Sequence, residues 1–166
     1  MESTKIIISE LKGTINSNPE ILYSFPPLDI ADLESKNLIT KFLPFGSKSG
    51  EFISSAFGKK KSILSYIFSI KNSSNRDNLV SISIIIAKKD NPDIYKPALK
   101  EIIDQLDNNK VLTEEILKTY LEVIFKGINK EEEIYIENIL INLPEIFNEI
   151  KSKIIKTKPQ IRGSFF

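Results

Sequence analysis

Carboxylates, lysines, tyrosines and serines are the side chains left for proton transfer or nucleophilic attack in this sequence of 166 residues, which has neither histidine nor cysteine. Losing histidine removes the commonest general base, transition-metal ligand and pH switch. Without cysteine there is no disulfide framework and no thiolate metal site. Three stretches invite a chemical reading. Lys59-Lys60-Lys61 could meet a membrane surface or an acidic partner. A lysine run between two strands reads first as a solvated hairpin turn that protects the sheet edges. Glu131-Glu132-Glu133 could ligate a cation, but acids opening a helical pattern read first as favourable charge at the positive end of the helix dipole. Gly46 to Gly50 (GSKSG) has the glycines of a phosphate loop without the Walker spacing and without a following helix. No nucleophile–base pair and no acid dyad at a defined spacing stands out. No catalytic, cofactor-binding or metal-binding residue is therefore assigned.

The 23 basic and 22 acidic residues give a net charge of +1, which leaves no nucleic-acid footprint. Three consecutive isoleucines near the N-terminus are too few for a signal peptide or a membrane span. The expectation is a cytoplasmic protein with no integral membrane segment, in peripheral contact with a membrane at most. With 41% hydrophobic residues the chain can bury one ordinary core.

The element around which the rest is organised is NLVSISIIIAKK at 78–89. Val80, Ile82, Ile84 and Ile86 share one face of a strand, and Leu79, Ser81, Ser83 and Ile85 share the other, a pattern suited to mid-sheet. Before it, 5–12 and 20–26 predict a strand pair, the second stopped by Pro26-Pro27. Alternation in that second strand makes Tyr23 and Phe25 core residues first. A helix follows, capped by Asp29 or Asp32, with Ile30, Leu33, Leu38, Ile39 and Phe42 at roughly helical spacing. Strands over 51–57 and 62–71 lead by hairpin-length turns into the isoleucine-rich strand. The period then changes to about 3.6. Ile94 to Leu106 form one helix, and Thr113 caps a second that runs to a C-cap at Gly127. A last helical segment is expected from Glu131 through Ile154, kinked or restarted at Pro144.

This order resembles the longin fold, and most of all the longin-type N-terminal modules of DENN-like regulators of small GTPases. The resemblance is carried by ILYSFPP at 21–27, KFLPFG at 41–46 and the strand pair SYIFSI and LVSISIII, within about 5–126. It implies an α+β, profilin-like architecture: a five-stranded antiparallel sheet in the order 2-1-5-4-3, one helix on one face, two on the other, and an added C-terminal helix. It also implies a non-catalytic interaction module without a cofactor. The partners would be a small GTPase and another longin or roadblock domain, in homo- or heterodimers serving membrane-trafficking-like machinery. No DENN catalytic domain and no coiled coil follows, so the module is expected to act alone or with a separate chain.

The expected division is a longin-like domain over 1–128, an amphipathic helical extension over 129–155 and a basic tail over 156–166. Edge strands attract partners, and Pro26-Pro27 blunts one of the two implied edges, which selects Phe52, Ser54, Ser55 and Ala56 as partner-binding residues. Ile139, Leu143, Phe147 and Ile150 either complete the core or bind another chain, and the sequence leaves both open. A PAS-like small-molecule sensor is the alternative, since that fold also opens with two strands and closes with three. The short connection between the second and third strands argues against it, as does the lack of an obvious polar contact inside the core.

Overall fold

The structure is a computed structural model that describes residues 3–29, 38–72 and 76–157. At its centre is the isoleucine-rich strand β5, Asn78–Ala87, flanked by β1, Lys5–Leu11, and β4, Lys61–Ile70. The edges are β2, Glu20–Phe25, and β3, Phe52–Phe57, so the antiparallel sheet runs β2-β1-β5-β4-β3. Alternation along β5 decides what each face receives. Val80, Ile82, Ile84 and Ile86 join Ile6, Ile8, Leu64, Tyr66 and Phe68 in the larger core. Ile85 joins Ile7 and Ile63 beneath Leu38 and Phe42 of the short helix α1, Leu38–Phe42. On that second face four serines are also buried, Ser9, Ser65, Ser81 and Ser83, and the Ser65 and Ser83 hydroxyls bond to each other at 2.6 Å. The part of the expected first helix over 30–37 lies outside the described residues, as does the tail beyond 157.

The larger core is closed by α2, Lys96–Asn108, and α3, Glu114–Lys130. Pro97 sits in the first turn of α2, where its missing N–H costs no helical bond. Thr113 caps α3 by accepting the Ile116 N–H on Oγ1 at 3.1 Å. Its C-terminus departs from expectation. The helix continues past Gly127 to Lys130 and turns at Glu131, whose φ is 52°. Gly127 is needed for packing: a Cβ there would lie 2.3 Å from Cγ2 of Ile134. Glu131 is held by Lys151, whose ammonium lies 2.6 and 2.7 Å from its two carboxylate oxygens.

The segment after α3 is likewise not one kinked helix. It is a small hairpin, β6 (Ile134–Ile136) with β7 (Ile139–Ile141), followed by α4, Leu143–Thr157. Ile134, Ile136 and Ile141 point into the core while Tyr135 and Leu140 face out, which is a two-residue period. Pro144 stands in the first turn of α4 rather than in a helix interior, and Asn142 accepts the Glu145 N–H at 3.2 Å. The expected boundary between 128 and 129 falls inside α3, whose Asn129 also binds Ser3 by three hydrogen bonds of 2.6 to 3.0 Å. Among the described residues no helix is long and apolar enough to cross a membrane.

Candidate interaction surface and a buried carboxyl pair

The two sheet edges differ. Along β2 the residues from Ile21 to Phe25 are half-buried, and the strand runs into Pro26-Pro27. On β3 the side chains of Ser54 and Ala56 are exposed. The Ile67 N–H donates to the Glu51 carbonyl at 2.9 Å, and this fixes the alternation along the pair. Ile53, Ser55 and Phe57 exchange their backbone bonds with β4, whereas Phe52, Ser54 and Ala56 turn N–H and C=O groups to the outer edge. Ser55 is therefore not an edge donor. Its hydroxyl is buried without a partner, on the face that also carries Phe57 and Ile63. The edge is bracketed by cations: Lys96 lies 5.8 Å from the Phe52 ring and Lys41 5.8 Å from the Phe57 ring. Phe52 itself leans on Tyr66 with ring centroids 4.6 Å apart.

The C-terminal residues singled out from the sequence lie elsewhere. Leu143 and Phe147 are fully buried in the larger core, with Ile139 and Ile150 half-buried against it. What this segment offers to solvent is the cross-strand pair Tyr135 and Leu140, 61% and 46% exposed, and Ile155 near the end of α4, 73% exposed. Lys59 and Lys60 occupy the β3–β4 turn, as a solvated hairpin tip requires. Among the described residues no cluster of three or more acidic groups is arranged to hold a metal ion.

Sequence reasoning missed a buried acid. Glu10 follows Ile6 and Ile8 on the core face of β1 and has no exposed surface. Its Oε1 accepts from Nδ2 of Asn78 at 3.0 Å, and the same nitrogen lies 3.4 Å from Oε1 of Glu114 in the first turn of α3. Oδ1 of Asn78 accepts the Gly13 N–H at 3.0 Å, so one amide ties the end of β1 to β5 and α3. Gly13 is close-packed here, since a Cβ would fall 1.8 Å from the Arg76 carbonyl oxygen. Burial, then the hydrogen bond and repulsion from Glu114, push the Glu10 carboxyl up to about 8, with Lys12 opposing and Glu20 adding to the rise. The signal was present in the sequence, because two-residue alternation over 5–12 puts Glu10 on the isoleucine face.

No protein-family model matches the chain, and no significant match to a curated protein was found.

Proposed function

We propose that the chain is a non-catalytic interaction module of the longin type. In this reading it pairs through the β3 edge with another longin or roadblock chain and presents the assembly to a small GTPase in trafficking-like machinery. The observation that carries it is the layout: a 2-1-5-4-3 sheet with α1 on one face and α2 and α3 on the other, with α4 added to them. That is the arrangement the longin resemblance implies, and it leaves β3 with a row of outward backbone groups beside small exposed side chains. The PAS-like alternative shares the two-strand opening and three-strand close, but the position of α2 and α3 after β5 favours the longin plan.

The test is a pair of proline substitutions. Ser54→Pro removes an outward N–H and spares the bonds to β4, whereas Ser55→Pro breaks the sheet itself. Light scattering and pull-downs with a panel of GTP- and GDP-loaded small GTPases are expected to give an assembled wild type. Ser54→Pro should be folded but dissociated and deficient in capture. A Ser54→Pro variant with wild-type assembly and wild-type capture refutes the interface.

A further inference from the structure

We propose that Glu10, Asn78 and Glu114 form a proton-operated latch that fastens the first turn of α3 to the β1–β5 end of the sheet. The Glu10 and Glu114 carboxyls converge on Nδ2 of Asn78, at 3.0 and 3.4 Å, yet two carboxylates have no hydrogen to share. Oε2 of Glu10 has no donor facing it. A buried acceptor pair of this kind is satisfied by one proton, which turns Glu10 into a donor toward Glu114 while Asn78 serves the remaining oxygen. Burial of Glu10 keeps that proton in place at neutral pH.

When the proton leaves, two negative charges share a single amide donor. Glu10 cannot move, being enclosed by the sheet and the larger core. Glu114 is half-buried on a helix end and can swing to water, so the latch opens on the α3 side. The charges that act on it lie on β1, β2 and α3 and in the turn after β1. Lys12 on the β1 side stabilises ionised Glu10, and Glu20 on β2 opposes it. Tyr23 on β2 feels Glu114, Glu115 and Glu10, and its ring carries the Lys118 ammonium at 5.6 Å. Opening would loosen the Thr113 cap at Ile116, while Asn78 stays bonded to Glu10 and keeps the Gly13 N–H. The start of α3 would thus respond to alkalinisation while the turn after β1 stays closed. This inference is independent of the proposed GTPase partner.

Hydrogen exchange followed by NMR on the whole chain tests it, with rates corrected for intrinsic base catalysis. From pH 6 to pH 9 the wild type is expected to lose at least tenfold protection at Ile116 while Gly13 and the amides of β4 stay constant. Carbon-13 labelling should show one glutamate carboxyl titrating near 8. Glu10→Gln keeps the shape and removes the titration, and Glu114→Gln supplies an amide donor to Glu10; both should hold protection at Ile116 across the range. Should Glu10→Gln fail to fold, the half-exposed Glu114→Gln carries the comparison. Protection at Ile116 that is independent of pH in the wild type overturns the latch, as does an unchanged pH dependence in Glu114→Gln.

Discussion

Replacing Gly127 by alanine sets two effects of opposite sign against each other. In an exposed helix interior the change gains about 0.8–1 kcal/mol in helix propensity. Gly127 is not exposed: it lies in α3 beneath the β6–β7 hairpin, and the new Cβ would stand 2.3 Å from Cγ2 of Ile134 and 3.2 Å from Cδ1 of Leu143. An ordinary contact needs roughly 1 Å more, and Cγ2 of Ile134 is a branch fixed at Cβ rather than the far end of a flexible chain. Ile134 is 4% exposed and Leu143 fully buried, so neither can withdraw into solvent. Overpacking of this sort costs about 1–3 kcal/mol, and once the propensity gain is subtracted the expected net loss is up to about 2 kcal/mol. For a chain of this size that is up to roughly 8 °C in melting temperature. Thermal and urea unfolding measure it. A double-mutant cycle with Ile134→Ala, which removes Cγ2, should show the paired variant losing less than the two single losses added. A stabilised Gly127→Ala, or strict additivity in the cycle, would refute the packing argument.

Ile84→Asp should not fold, because an unpaired carboxylate in the middle of β5 costs several kcal/mol, on the order of the whole stability; Lys60→Glu at the hairpin tip should stay within about 0.5 kcal/mol of wild type. A cooperative, near-wild-type transition for the aspartate variant would count against this account of β5. Truncation before Glu131 should yield an insoluble or strongly destabilised chain, since Ile134, Ile136, Ile141, Leu143 and Phe147 leave with it; a soluble fragment with an unchanged melting temperature would contradict that. The Glu10 carboxyl is raised from 4.5 to about 8, so its stabilising protonation is complete below about 4.5 and lost as pH rises to about 8. Wild type relative to Glu10→Gln should therefore weaken across that window by at most about 1.4 kcal/mol per pH unit and level off above it; parallel stability curves would exclude the shift.

The central strand was legible because its alternation is strict: Val80, Ile82, Ile84 and Ile86 occupy the face assigned to them. The strand order came from the resemblance and agrees with the sheet. The region after Gly127 was misread because Ile136, Ile139, Leu140 and Leu143 also satisfy helical spacing. A short hairpin contributes too few residues for the two periods to separate. At the β3 edge, residue choice was readable but hydrogen-bond parity was not. Whether Ser54 or Ser55 points outward depends on the register with β4, which no local pattern encodes. Glu10 could have been recognised from alternation in β1. Its partner could not, because Glu114 looks like an ordinary first-turn acid until the fold brings the two carboxyls together.

The position of β1 between β2 and β5 shapes the route by which the chain folds. β3, β4 and β5 are antiparallel neighbours in sequence order and can zip as a local meander, and β1 with β2 as another. The seam that unites them pairs Lys5 with Ile85 and Leu11 with Leu79, so it closes a long loop and is entropically the slower step. Until it closes, both halves present isoleucine-rich strands, Ile6 to Ile8 and Ile82 to Ile86, with unpaired edges. During synthesis the first hairpin emerges well before its sheet partner. The same contact that covers β1 in the native sheet leaves it aggregation-prone in the nascent chain until β5 has emerged.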